Sequence, residues 1–160
     1  MKQVFESENI RFVEVTEELV KDYLAMVNDM ERVGRWIGPR RELISEEKER
    51  RWVRGKLEKK AMVLSLIEKA SGAFIGNVEL EDVKDGSGML GIAVTADMQD
   101  RGFGTEAVRA VTAYWMDQLK LDRIWLRAYP HNTRAIHVYE KCGFRIFRKT
   151  DEDVFMELCR

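Results

Sequence analysis

The stretch "VTADMQDRGFGTEAVRAV", residues 94–111, joins an apolar run to a helical repeat through a loop that contains two glycines. The preceding run Met89–Val94 predicts a strand, and apolar residues after the loop recur at helical spacing. A junction of this kind gathers free backbone N–H groups and the positive end of a helix dipole at one point, which suits a phosphate group. Gly102 and Gly104 place no side chains there. The stretch therefore predicts an anion-binding loop, with a tight turn that binds nothing as the simpler alternative.

Two other phosphate ligands fit this loop poorly. The spelling "GFGTEA" satisfies the loose dinucleotide pattern G-x-G-x-x-G/A, and Asp122 stands where a ribose-binding acid is expected. That fingerprint belongs to the first βαβ unit of a long parallel sheet, whereas this loop follows antiparallel hairpins and little chain remains after it. A nucleoside-triphosphate loop needs a lysine and a hydroxyl directly after its last glycine, but Thr105 and Glu106 stand there.

The composition is typical of a globular domain, since 45% of the 160 residues are hydrophobic and 34% are charged, with a net charge of −1. We expect one domain over residues 1–160, a monomer or homodimer, with no general attraction to nucleic acid. The apolar runs are too short to span a membrane, and the charged N-terminus lacks the apolar core of a signal peptide, so we expect a cytoplasmic protein. Cys142 and Cys159 are too few and too isolated for a disulfide framework or a zinc site, and we expect no metal.

The first half of the chain predicts a strand, two helices and a meander. "NIRFVEV" reads as a strand, a helix follows from Thr16 to about Met30, and a second helix starts at Ser45. Gly34, Gly38 and Pro39 lie in the break between the helices. Three strands, "MVLSLIEK", "AFIGNVELEDV" and "MLGIAV", then form an antiparallel meander through the turns "ASGA" and "DGSG".

The second half alternates helices and strands. The helix after the glycine loop is followed by the strand "RIWLRAY", by a short helix capped at Asn132 or Thr133 that ends at Gly143, and by the hairpin "FRIFRKT" and "DVFMELC". The order β-α-α-β-β-β-α-β-α-β-β predicts an α/β fold with one mixed, mostly antiparallel sheet flanked by helices.

A second motif, "NTRAIHVYEKCGF" at residues 132–144, follows the glycine loop. With it, the sequence resembles the GNAT superfamily, the Gcn5-related N-acetyltransferases, and most closely their ribosomal-protein and spermidine acetyltransferase branch. The loop fits the pattern Q/R-x-x-G-x-G/A and the second motif fits N-x-x-A-x-x-x-Y-x-x-x-G-F. The matching residues are Gln99, Gly102, Gly104, Asn132, Ala135, Tyr139, Gly143 and Phe144. The specific resemblance covers about residues 70–150.

The resemblance implies the GNAT fold, acetyl-CoA as cosubstrate and a primary amine as acceptor. The acceptor would be a protein N-terminus, a polyamine or a small amine, attacking directly in a ternary complex. The strand that ends at Val94 and the strand "RIWLRAY" would splay apart to admit the pantetheine arm, with the pyrophosphate on the glycine loop. The residues implied to bind acetyl-CoA are Ile92, Ala93, Val94, Gln99, Asp100, Arg101, Gly102, Phe103, Gly104, Thr105, Asn132, Ala135 and Tyr139. A non-catalytic acyl-CoA-binding module of the same fold is the alternative.

The resemblance also points to catalytic groups. Tyr139 would protonate the leaving thiolate, although its position on an apolar helix face suits a core tyrosine equally well. Asn132 would contact the cofactor arm, or cap its helix, or do both. Glu79 is the candidate base, acting through water, while Glu81 on the same strand face is the alternative and a solvated strand face is the simpler explanation for both.

Other polar residues have less specific roles. The basic cluster Arg35, Arg40 and Arg41 beside Trp36 lies in the loop that shapes the acceptor side in the family, as a solvated turn or as a contact for an acidic part of the acceptor. His131 and His137 are expected at the surface.

Overall fold

The fold is built on one eight-stranded sheet with the strand order β1-β2-β3-β4-β5-β6-β8-β7. The computed structural model describes residues 1–39 and 42–160. The strands are β1 Gln3–Glu6, β2 Ile10–Glu14, β3 Met62–Glu68, β4 Phe74–Lys84, β5 Ser87–Val94, β6 Arg123–Ala128, β7 Arg145–Lys149 and β8 Val154–Cys159. The helices are α1 Val20–Val27, α2 Arg35–Ile37, α3 Glu46–Glu58, α4 Phe103–Leu119 and α5 Thr133–Lys141.

Neighbouring strands run antiparallel except for β5 and β6, which are parallel. The predicted mixed and mostly antiparallel sheet flanked by helices is therefore confirmed. In the meander, Ser65 of β3 lies beside Asn77 of β4, which lies beside Ala93 of β5. Residues directly opposite each other on adjacent strands share a face of the sheet. The side chains of these three residues therefore point to the same side of the sheet.

Helices cover the sheet on both faces and enclose two apolar cores. One core lies between the sheet and the helices α4 and α5, and its buried members include Val108, Trp115 and Tyr139. The other lies under α1 and α3, and its members include Tyr23 and Val53. The spacing of these residues along each helix places them on the face turned to the sheet, as the helical periodicity predicted.

The parallel pair β5 and β6 separates along its length. Pairing is found at Ser87, Gly88 and Met89 of β5, and among the described residues it stops there, although β5 continues to Val94 and β6 to Ala128. The splay that the family resemblance implied is therefore present. It opens a cleft between the ends of the two strands.

The N-terminal third differs from the sequence prediction in two respects. The edge strand β1 was not predicted, because it has only four residues, of which two are polar. In the structure, Phe5 stacks on Phe12 and Tyr114 with ring centroids 4.1 Å and 4.2 Å apart. The first helix stops at Val27, earlier than predicted, and a π-helical turn, Met30–Gly34, leads into α2. Within residues 1–39 and 42–160, no helix is long and apolar enough to cross a membrane.

Candidate functional site

The cleft between the diverging strands is large and is lined by most of the predicted site residues. Its volume is about 1530 Å³, above the range of roughly 300–1,000 Å³ common for one small ligand. The predicted residues that line it are Glu79, Glu81, Ile92, Ala93, Val94, Gln99, Asp100, Gly102, Gly104, Thr105, Asn132, Ala135 and Tyr139. The structure thus brings together residues from β4, β5, the glycine loop and α5.

The glycine loop forms the start of α4 at one end of the cleft. Gly102 is the N-cap of α4 and has a φ of 86°, a left-handed value that favours glycine. A Cβ added at Gly104 would meet only the Val138 methyl groups at 3.9 Å, so the space beside this residue is open. The first-turn N–H groups of a helix have no partners within it. The loop therefore offers backbone donors and room for an anion.

Arg101 does not turn its side chain toward this cleft. Its guanidinium forms an ion pair with Glu68 at 2.9 Å and lies 5.0 Å from the centre of the Phe103 ring. Arg101 and Phe103 instead line a smaller cavity behind the loop, together with Glu68 and Glu106. Of the residues predicted to bind acetyl-CoA, Arg101 and Phe103 therefore do not line the cleft that the others line.

Arg134 is a cation that lines the cleft next to the glycine loop, and the sequence reasoning missed it. It lies in the first turn of α5, pairs with Asp100 at 3.3 Å and donates a hydrogen bond to the Gln99 side chain. Gln99 in turn donates to the Val94 carbonyl at 3.0 Å. The sequence feature that could have identified Arg134 is a basic residue two positions after the helix cap Asn132.

The free edge of β5 carries alternating backbone groups. The Thr95 N–H bonds the Ile75 carbonyl on β4 at 2.8 Å, and because the pattern alternates, Ala93 also turns its backbone groups to β4. Ile92 and Val94 then face the cleft. Of the three predicted cofactor-binding residues on β5, Ala93 is thus paired with Asn77, and the Val94 carbonyl already accepts from Gln99.

Tyr139 projects from α5 into the cleft wall and is 7% exposed. Its hydroxyl forms no hydrogen bond to any part of the chain that the structure describes, and it is not sealed from the cleft. Burial raises the pKa of Tyr139 to about 12. The Tyr139 hydroxyl therefore keeps its proton at neutral pH, and no hydrogen bond within the described chain occupies that proton.

Asn132 performs the capping role that its position suggested. Its side chain accepts a hydrogen bond from the Ala135 N–H at 3.5 Å, and it also lines the cleft. Capping and a contact with a ligand are therefore compatible for this residue.

Glu79 lines the cleft from β4, opposite Gly91, which has no side chain to cover it. Lys56 of α3 donates a hydrogen bond to its carboxylate, and the same amine lies 3.9 Å from Glu81. Burial raises the pKa of Glu79 and outweighs the lowering effect of Lys56. Glu79 is therefore a carboxylate with increased basicity at the cleft wall, which suits a proton acceptor.

Trp36 lines the cleft and lies near two other rings outside it. Trp36 of α2 lies 5.4 Å from His131 and 6.4 Å from Tyr129, centre to centre, and Arg35 lies 4.4 Å above the Trp36 ring. His131 and His137 are exposed, as expected. The predicted neighbours Arg40 and Arg41 lie outside the described residues. No group of three or more metal-binding side chains occurs in the described ranges.

Comparison with known proteins gives consistent relatives. A family model described as an acetyltransferase (GNAT) domain matches residues 9–145. The spermidine N(1)-acetyltransferase of Vibrio cholerae is 31% identical over 81 residues, which cover 49% of this chain and 47% of that protein. The chain thus aligns with about half the length of that relative.

Two solved structures share the fold. An acetyltransferase (GNAT family) from Bacillus anthracis has a TM-score of 0.84 at 18% identity and covers 96% of each chain. The structure of AAC(6')-Ib in complex with ribostamycin and coenzyme A has a TM-score of 0.77 at 20% identity, covering 96% of this chain and 94% of the other.

Proposed function

The chain belongs to the GNAT acetyltransferase family, as its two motifs predicted, and we propose that it transfers the acetyl group of acetyl-CoA to a primary amine. The acceptor classes are a protein N-terminus, a polyamine or a small amine. The observation that carries the proposal is the Tyr139 hydroxyl, which is protonated, unpartnered among the described residues and placed in the cleft with the glycine loop and the free edge of β5.

The residues of the cleft fit acetyl-CoA. The first-turn N–H groups of α4 and the open space at Gly104 suit the pyrophosphate, and Arg134 adds a positive charge on the facing helix. Ile92 supplies backbone groups at the edge of β5 for the amide bonds of the pantetheine arm, an arrangement that resembles strand addition. A structural neighbour, AAC(6')-Ib, contains coenzyme A, which supports this assignment.

The chemistry requires two proton transfers, and the cleft holds one group for each. Bound acetyl-CoA supplies a thioester carbonyl carbon to which the amine nitrogen forms the new bond as the carbon–sulfur bond breaks. Tyr139 donates its proton to the departing sulfur. Glu79, through water, accepts the proton that the amine loses. The products are an N-acetylated amine and the free thiol of CoA, and the catalytic groups regain their starting protonation from solvent.

The test is release of free thiol from acetyl-CoA in the presence of peptides with free N-termini, polyamines and small amines, with acceptor acetylation read by mass spectrometry. We expect thiol release to depend on one class of amine and to match a gain of one acetyl group. Thiol release without acceptor would indicate simple hydrolysis. Tight binding of CoA with no transfer to any amine would instead support the non-catalytic module.

A further inference from the structure

A buried chain of hydrogen bonds leads from the N-terminal helices to the cleft and has no part in the proposed proton transfers. The Thr16 N–H donates to the Tyr23 hydroxyl at 3.2 Å, Tyr23 bonds Ser65 at 2.7 Å, and Ser65 bonds the Asn77 side-chain oxygen at 2.8 Å. Tyr23 and Ser65 are both 0% exposed. Only Asn77 reaches the cleft.

The direction of each proton in this chain follows from the donors available. Ser65 has one hydroxyl proton and gives it to the Asn77 oxygen, so Tyr23 must donate to Ser65 and accept from Thr16. Burial raises the pKa of Tyr23, so it retains that proton. If the Asn77 amide were turned over, its NH₂ group would donate to Ser65, and the Tyr23 and Ser65 hydroxyls would have two protons for the single contact between them.

This chain therefore fixes the orientation of the Asn77 amide. Its oxygen faces Ser65, and its NH₂ group, which donates to no other described residue, is left for the cleft. An NH₂ group can only donate. The cleft wall at Asn77 therefore suits a ligand atom that accepts a hydrogen bond.

The position of Asn77 indicates which ligand it meets. It lies on β4, on the side of β5 opposite the free edge proposed for the cofactor arm, and it shares a strand face with Glu79 two residues away. Two residues along a strand span about 7 Å. An amine near Glu79 and an oxygen near Asn77 can therefore belong to one small acceptor.

We propose that Asn77, held by Tyr23 and Ser65, is a specificity-determining residue that selects acceptor amines with a carbonyl or hydroxyl oxygen three bonds from the nitrogen. The inference rests on the proposed acetyl transfer to an amine. It favours amino-acyl groups and amino alcohols over simple polyamines, whose chains offer no such oxygen.

The test compares glycinamide with ethylamine, which has the same carbon backbone but no oxygen. Asn77→Asp keeps an acceptor for Ser65 and replaces the NH₂ donors with oxygen, whereas Asn77→Ser removes the amide without adding charge. Ser65→Ala tests the positioning role. For each variant, nuclear magnetic resonance titration of the CoA-bound protein gives dissociation constants for both amines, and thiol release gives the ratio of kcat/KM values.

We expect the preference for glycinamide over ethylamine to fall roughly tenfold or more in Asn77→Asp, and by a smaller factor in Asn77→Ser and Ser65→Ala. Thermal melting of each variant serves as the folding control. An equal loss of kcat/KM with both amines would mean that Asn77 contacts the thioester and not the acceptor, which would overturn the inference. An unchanged ratio in the variants, or no preference for glycinamide in the parent protein, would overturn it as well. Absence of thiol release with every amine would refute the proposed function alone, because the binding ratio still decides the role of Asn77.

Discussion

Tyr139 and Tyr23 are two buried tyrosines in opposite cores, and their hydroxyls have different surroundings. Tyr23 bonds Thr16 and Ser65, whereas the Tyr139 hydroxyl has no partner in the described chain and opens to the cleft. A buried hydroxyl used for stability is normally paired. The unpaired one is therefore the better candidate for chemistry, which the sequence alone could not decide.

Substitution of Tyr139 by Phe should separate catalysis from packing. Because the ring stays in place and no protein hydrogen bond is lost, we expect kcat to fall roughly 10- to 1000-fold while CoA affinity changes by no more than a few-fold. Tyr23→Phe is the matched stability control, and it should lose about 1 kcal/mol of unfolding free energy. Steady-state kinetics and chemical denaturation measure both effects. An unchanged kcat in Tyr139→Phe would return this residue to a purely structural role.

Glu79 should set the acidic limb of the pH profile. Burial raises its pKa above the usual glutamate value of about 4.3. The ionised form is the base, so activity should rise with pH as Glu79 loses its proton, and the further deprotonation of the amine continues that rise. Glu79→Gln should therefore remove this limb, and it should lower kcat/KM most above the pKa of Glu79, where the parent carboxylate is ionised.

Glu81→Gln is the control for that profile, because Glu81 is half-exposed and shares Lys56 with Glu79 without bonding it as closely. Glu81 helps to raise the pKa of Glu79, so we expect Glu81→Gln to move the acidic limb to lower pH without removing it. Superposition of the Glu79→Gln and parent profiles would remove Glu79 from the mechanism, and loss of the acidic limb in Glu81→Gln would move the base there.

At the scale of elements, the close approach of β4 and β5 depends on Gly76. A Cβ at this residue would clash with the Ala93 carbonyl oxygen and would lie 3.0 Å from the Val94 Cα, both on the backbone of β5. Backbone atoms cannot move aside as a flexible side chain does. The strand edge that borders the cleft is therefore positioned partly by the lack of a side chain one strand away.

Gly76→Ala should destabilise the protein by about 1–3 kcal/mol and weaken CoA binding as β5 shifts. The matched control is Gly55→Ala in α3, where nothing lies within 4 Å of the added Cβ. That change should stabilise by roughly 0.5–1 kcal/mol, because alanine favours helix more than glycine does. Chemical denaturation gives both values, and equal stabilities for the two variants would contradict the proposed strand contact.

The sequence predicted the long elements well because their periodicity reflects burial on one face. The meander and the helix after the glycine loop are examples. It could not predict β1, whose pairing depends on stacking of Phe5 on residues distant in sequence. The sequence also could not show that the Arg101 side chain turns away from the cleft. This orientation depends on its ion pair with Glu68, which lies 33 residues away in the chain.

At the scale of the whole molecule, the cleft is bordered by both halves of the chain. The helices α1 to α3 and the strand β4 form one wall, and α4 and α5 form the other, so each wall belongs to a different apolar core. The sheet lies between the two cores, and its strands β5 and β6 separate where the cleft opens. A ligand that fills the cleft therefore contacts both halves and should stabilise the whole fold.

CoA should accordingly raise the melting temperature of the intact protein. A ligand at 100 times its dissociation constant adds about 2.7 kcal/mol, which for a chain of this size corresponds to a rise of roughly 5 to 10 °C. Gly104→Glu should abolish the rise, because it places bulk and negative charge in the open space at the start of α4. Its melting temperature without CoA should stay close to that of the parent, since the added Cβ meets only the Val138 methyl groups at 3.9 Å. A CoA-dependent rise that persists in this variant would show that the anion binds away from the glycine loop.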